Sequence, residues 1–212
     1  LLIECKNDSL FEAFIERDIA DERFSLEKLF NDTCALFSRI KIGDYDAWVE
    51  KAIANYYVND AKKILREHKG LKVIGITGSY GKTSTKFILG RILNERYNTL
   101  VTPENYNTPM GVVITVRNHL RPQTEIFVCE IGAKRKGDIA EVCDIADPDL
   151  GVITSVGPQH LDTFGNIETV VSTKFELADR VKKKNGKMFL NTDNGLIKAK
   201  ADAYDSVTYG TA

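Results

Sequence analysis

Apolar positions recur along this chain in two different rhythms, and the change falls near residue 70. Before it, apolar residues return every three or four positions, with almost no glycine or proline between them. Leu10, Phe11, Phe14 and Ile15 form one set, Leu26, Leu29 and Phe30 with Leu36, Phe37 and Ile40 a second, and Trp48, Ile53, Tyr56, Tyr57, Ala61, Ile64 and Leu65 a long third. That spacing lines one face of a helix, so residues 1–70 are predicted to be helical. Ser25 with Lys28 and Asp44 with Ala47 are only partial caps, and Gly70 supplies a helix stop.

After Gly70, short apolar runs alternate with amphipathic stretches. Strands are predicted at 71–77, 98–101, 125–131, 149–154, 187–191 and 206–209, and helices at 82–96, 109–119, 136–146, 166–183 and 193–201. A helical crossover between successive strands returns the chain in the same direction, so the strands pair in parallel and the helices cover the faces. The predicted fold is α/β: a mostly parallel sheet flanked by helices, over residues 71–212, preceded by a helical N-terminal segment, residues 1–70. Ligands of such sheets bind beyond the carboxyl ends of the strands. Those ends carry polar or glycine-rich clusters at 77–83, 102–111, 130–132 and 155–160.

Composition narrows the function classes. Hydrophobic content of 43% and charged content of 28% are ordinary for a soluble globular protein. Lys+Arg 29 against Asp+Glu 30 gives a net charge of −1, which offers no argument for nucleic acid. No apolar run approaches the ~20 residues of a membrane span, and Leu1-Leu2-Ile3 is too short for a signal peptide. The missing initiator Met reads as a chain cut from something longer. Cys5, Cys34, Cys129 and Cys143 lack C-x-x-C spacing, so neither a zinc site nor a redox pair is signalled. Cys129 and Cys143 lie in apolar contexts as buried thiols, and reduced cysteines fit a cytoplasmic location.

The chemistry concentrates in Val73-Ile74-Gly75-Ile76-Thr77-Gly78-Ser79-Tyr80-Gly81-Lys82-Thr83-Ser84. A β-branched run ends in a glycine-rich turn, then a lysine and two hydroxyl residues open a helical pattern. Backbone N–H groups of such a turn, with the positive end of the new helix, close on a polyphosphate. Lys82 would reach the β/γ-phosphates and Thr83 would hold Mg²⁺. The plain alternative is a turn that only connects a strand to a helix. The usual G-x-x-x-x-G-K-[ST] loop would put its first glycine where Ile76 stands.

Four further clusters follow in order: Asn105-Tyr106-Asn107-Thr108-Pro109-Met110-Gly111, Glu130-Ile131-Gly132-Ala133, Thr154-Ser155-Val156-Gly157-Pro158-Gln159-His160-Leu161-Asp162 and Ser172-Thr173-Lys174-Phe175-Glu176. With the loop at 78–83, this order and spacing resembles the central ATPase domain of the Mur ligases, most closely the D-alanyl-D-alanine-adding branch. The family's short T-G-x-x-G-K-T loop accounts for Ile76. The resemblance covers about residues 71–212. It implies an ATP- and Mg²⁺-dependent ligase that joins a carboxylate to an amine through an acyl phosphate. The expected substrates are a UDP-linked muramoyl peptide and D-alanyl-D-alanine.

The resemblance also assigns roles. Gly78, Ser79, Tyr80, Gly81, Lys82, Thr83 and Ser84 would cradle the phosphates. Glu130 resembles the acidic Mg²⁺ ligand, His160 the histidine ligand of a second Mg²⁺, and Lys174 the lysine that becomes carbamylated. Asn107 resembles the asparagine near the phosphates and metal. Asn191 and Asp193 resemble the family's N-x-D segment. Oxygen ligands suit Mg²⁺, whereas imidazole is a less usual one, so His160 rests mainly on the resemblance. A carbamate needs a neutral amine, hence a lysine whose pKa its surroundings lower.

Residues 1–70 lack the glycine-rich pattern of a nucleotide-sugar domain and read as a remnant in a divergent, membrane-associated branch. The chain stops soon after Asp193, so the family's C-terminal domain is expected to be absent; the fragment would then bind nucleotide weakly and not complete ligation alone. A folylpolyglutamate synthase-like ligase, a P-loop NTPase switch and a nonenzymatic scaffold are the alternatives. His68 and His119 read as helix-end residues, with His68 a solvated cap. Lys182-Lys183-Lys184 reads as a solvated helix end, whereas Lys134-Arg135-Lys136 sits where it could hold substrate phosphates.

Overall fold

A computed structural model describes residues 45–159 and 161–211, without the side chains of 45–49 and 161. The apolar faces predicted before residue 45, and His160, lie outside the described residues. The last predicted stripe is helix α1, Tyr45–Glu67, in which Ile53, Tyr57 and Ala61 are buried at four-residue intervals. Gly70, at φ 83°, turns the chain out of the helix in a conformation that glycine adopts without strain. Contacts divide the chain into two compact units, residues 1–60 and 61–212. The sheet lies in the second.

Six strands form it: β1 Lys72–Thr77, β2 Thr99–Val101, β3 Ile126–Glu130, β4 Leu150–Ile153, β5 Lys187–Asn191 and β6 Ser206–Tyr209. Their order is β2-β3-β1-β4-β5-β6, and every pairing is parallel. The helices between them are α2 Lys82–Leu93, α3 Pro109–His119, α4 Asp138–Ala146, α5 Leu161–Phe164, α6 Ile167–Lys183 and α7 Gly195–Lys198. β1 is central. The chain leaves it toward β2 and β3, then crosses to β4 on its other side, which opens a crevice at the carboxyl end of β1.

β1 and β3 are buried on both faces, as their unbroken apolar runs require. On one face Ile74, Ile76, Ile126, Val128 and Val152 pack with Leu89 and Leu93 of α2. On the other, Gly75 and Gly151 are register partners that make room for Leu177 of α6. A Cβ at Gly75 would lie 2.8 Å from its Cδ1, and one at Gly151 3.2 Å from its Cγ. The close seat of α6 fixes where its first two turns reach the strand tips.

The structure shifts several predicted boundaries. α2 ends at Leu93 rather than 96, and the helix expected over 193–201 is only α7 followed by a 3-10 turn at Ala201–Ala203. The short α5 was not predicted. His68 is not a solvated cap: its ring is half-buried and Nε2–H donates to the carbonyl of Arg121 at 3.0 Å. Nor are all three lysines of the 182–184 run simply solvated. Lys182 donates to Ala203 O at 2.9 Å, and Lys184 pairs with Asp147 and Asp149, each at 3.1 Å. No described helix is long and apolar enough to cross a membrane.

Candidate nucleotide and metal site

The glycine turn between β1 and α2 is held from below by the tip of β4. Ser79 N–H donates to Ser155 O at 2.8 Å, and Tyr80 N–H donates to Ser155 Oγ at 2.8 Å. Thr154 Oγ1 and Ser155 Oγ both donate to Tyr80 O, at 2.6 and 3.0 Å. Ser79 Oγ donates to Gly157 O at 3.1 Å and accepts from Gly157 N–H at 3.0 Å. These bonds satisfy the turn's outer polar groups. Gly78 lies so close to β4 that a Cβ there would meet Thr154 Oγ1 at 2.1 Å. Gly81, at φ 81°, caps α2 without a side-chain bond, so the helix opens with its positive end on the turn. Lys82 folds back over the turn and donates to Gly78 O at 2.8 Å. Burial lowers its pKa, and the Glu130 carboxylate partly opposes that.

Beside the turn, the tip of β3 places Glu130. Thr83 Oγ1 lies 3.1 Å from each carboxylate oxygen. Asn107 Nδ2 donates to Oε1 at 3.2 Å, and the Lys86 ammonium pairs with Oε2 at 2.9 Å. The backbone N–H of Glu130 donates to Thr102 Oγ1 at 3.0 Å. Oxygen donors from Thr83 and Glu130 therefore converge at the first turn of α2, a set that suits Mg²⁺. Among the described residues no group of three or more His, Cys, Asp or Glu could form a metal cage.

Lys174 enters from α6. This helix is capped by Asn166, which accepts from Thr169 N–H at 2.8 Å, and it carries Thr173 and Lys174 on its buried face. Lys174 is 2% exposed. Burial, then the positive charge of Lys82, lowers its pKa from 10.5 to about 8, against Asp138 and Glu176 pulling the other way. The structure thus brings Lys82 and Lys174 within electrostatic reach of each other. Glu176, half a turn on, accepts from Gly137 N–H at 2.8 Å and Ala140 N–H at 2.9 Å, tying the start of α4 to α6.

The remaining predicted residues divide. Asn191, at the tip of β5, donates to Thr154 O at 3.0 Å, beside the strand end that supports the glycine turn. Asp193 is directed away: its carboxylate accepts from Thr211 N–H at 2.9 Å. Ser84 and Tyr80 are exposed at the mouth, the Tyr80 ring over Gly157. Lys134, Arg135 and Lys136 are exposed, with the first two backbone amides donating to Asp138. His119 is exposed at the end of α3. Cys129 and Cys143 are buried free thiols; burial pushes Cys143 up to about 12 and Cys129 higher.

Lys86 was missed by sequence reasoning. It was read only as part of a helical pattern, yet it is wholly buried, while Ile88 and Ile92 of the same helix are 62% and 63% exposed. One signal was available: positions 83, 86 and 90 share a helical face, and a lysine on an inward face needs a partner. Thr154 and Ser155, to which residue type alone assigns no role, hold the glycine turn.

Comparison with known proteins adds four findings. The Mur ligase middle domain family matches residues 76–212. The chain is 40% identical over 134 residues to the UDP-N-acetylmuramoyl-tripeptide–D-alanyl-D-alanine ligase of Mycobacterium leprae, covering 63% of this chain and 26% of that protein. It is 36% identical over 151 residues to the ligase of the same name from Bacillus subtilis, covering 71% and 32%. It also resembles the structure of MurF ligase from Thermotoga maritima in complex with ADP, with a TM-score of 0.69 and 34% identity over 74% of this chain and 36% of that one. The chain thus spans a third or less of the curated relatives' lengths.

Proposed function

The chain belongs to the Mur ligase family, and on that footing we propose that it is the ATP-binding part of an ATP-dependent carboxylate–amine ligase of peptidoglycan precursor synthesis. The proposed substrates are a UDP-linked muramoyl peptide and D-alanyl-D-alanine, as the names of the relatives imply. Residues 71–212 are assigned to the nucleotide-binding domain and residues 1–70 to the helical segment before it, the contact boundary falling at residue 60, with the protein working in the cytoplasm. One observation carries the reading: Lys82, Thr83, Asn107 and Glu130 come from three different segments and gather around one glycine turn.

The proposed reaction brings two anions together. A carboxylate oxygen of the peptide attacks the γ-phosphorus of ATP, the bond to the β,γ-bridging oxygen breaks, and ADP leaves an acyl phosphate. The amine then attacks the acyl carbon and loses a proton, and phosphate departs as the amide forms. The amides at the start of α2 and Lys82 offset the charge that builds on the transferring phosphoryl group. To reach that group, Lys82 must exchange its bond to Gly78 O for a phosphate oxygen. Thr83 and Glu130 would hold Mg²⁺, which supplies charge neutralisation at the triphosphate when bound. Lys174, with its lowered pKa, holds far more neutral amine at pH 7 than an ordinary lysine, which is the form that accepts carbon dioxide. His160 is assigned with it to the second metal.

The test uses the full-length protein. ADP release is measured with UDP-muramoyl tripeptide plus D-alanyl-D-alanine, with folate plus glutamate, and with no acceptor. Turnover only with the first pair is the expected result. Turnover without an acceptor would instead make this a nucleotide switch, and turnover with folate a different ligase.

A further inference from the structure

The environment of Lys86 asks for a reason beyond stability. Its side chain is 0% exposed and pairs with Glu130, itself 2% exposed. A buried ion pair is often no more stable than apolar residues of the same volume, because both charges must leave water. α2 has apolar residues to offer, yet Phe87, Ile88 and Ile92 face outward while the lysine faces in.

The second contact of Lys86 gives the reason. Its ammonium also donates to the carbonyl of Glu104. Glu104 sits at φ 36°, in the left-handed region that a residue with a Cβ seldom occupies. Strain of that kind persists where the surroundings over-determine it, commonly near functional sites. Three residues on, Asn107 donates to Glu130 Oε1, and its carbonyl accepts from Gly132 N–H at 2.9 Å. A Cβ at Gly132 would lie 2.8 Å from Asn107 Oδ1, so the segment is pressed against the tip of β3. Lys86 is therefore the one described side chain that bonds both the Glu130 carboxylate and the backbone of the β2–α3 connection.

We infer that Lys86 is a positioning residue. It anchors Oε2 of Glu130 and the segment bearing Asn107 in one arrangement, so that the carboxylate already faces Thr83 when the metal–nucleotide arrives. The inference rests on the proposed nucleotide and metal reading, but not on which amide is made.

Isothermal titration on the full-length protein tests it through ADP affinity with Mg²⁺ and with EDTA. Lys86→Met should leave metal-free ADP binding within about twofold of wild type. It should cut the gain in affinity that Mg²⁺ confers by about 10- to 100-fold, the usual effect of removing a group that orients a metal ligand. In a Glu130→Gln background the same change should have no further effect, because Lys86 acts through that carboxylate. If Lys86→Met does not fold, Lys86→Gln and the neutral pair Lys86→Met/Glu130→Gln make the same comparison. An unchanged Mg²⁺ gain, or an equal loss in the Glu130→Gln background, overturns the assignment. A wild-type protein that binds Mg-ADP without ligating any acceptor sinks the ligase reading and leaves this one standing. A wild type that does not bind Mg-ADP sinks both.

Discussion

Replacing Lys174 by methionine should stabilise the ligand-free protein while abolishing ligation. The residue is 2% exposed, and its pKa falls from 10.5 to about 8, first through burial and then through Lys82. Holding it as an ammonium at pH 7 then costs about 3 kcal/mol relative to the unfolded chain. Methionine has a similar length and no charge to desolvate, so most of that cost disappears. For a chain of this size the gain corresponds to about 5–10 °C in Tm. The pH dependence separates this origin from better packing. Between pH 8 and 10.5 the unfolded chain binds the Lys174 proton and the native state does not, so wild-type stability rises with pH across that window. The advantage of Lys174→Met is therefore full below pH 8 and fades toward pH 10.5. Urea denaturation of both proteins in carbon-dioxide-free buffer at pH 7 and pH 10.5 measures it. A variant no more stable than wild type at pH 7, or an advantage unchanged at pH 10.5, would refute the reasoning.

Two other substitutions probe the scaffold. Gly78→Ala puts a Cβ 2.1 Å from Thr154 Oγ1 and must break the bonds from Thr154 to the turn, at about 1–3 kcal/mol; ADP affinity measured by titration should fall more than about tenfold. Wild-type affinity would show that the tight seat on β4 does not shape the turn. Asn166→Ala removes the cap of α6 and should cost about 1 kcal/mol in a denaturation experiment. Its ADP affinity should match wild type, because Lys174 lies about two helical turns beyond the cap; a parallel loss of binding would tie the cap to the site.

The sheet was legible because its strands are buried on both faces. Sequences such as Val73–Ile76 and Ile126–Cys129 must then be unbroken apolar runs, separated by helical periods long enough for a crossover. The glycine turn was equally legible, since Gly78, Gly81 and Lys82 are local and their backbone demands are written in residue type. Helix ends were less so: α2 stops at Leu93 although apolar and polar residues continue past it, and the α7 region holds only one turn. His68 misled for a related reason, because its partner, the carbonyl of Arg121, lies 53 positions away.

By itself the sequence determined the strand–helix alternation, the parallel sheet and the tips where chemistry would gather, all of which follow from local periodicity and turn residues. Only the tertiary structure decided which charges meet. Lys86, Glu130 and the Glu104 carbonyl come from three segments, and their meeting depends on the order in which strands lie across the sheet. The same holds for burial. A lysine in a helical pattern reads as solvent-facing until packing fixes which side of the helix is inside, because the cost of desolvating a charge depends on its neighbours and not on its place in the chain.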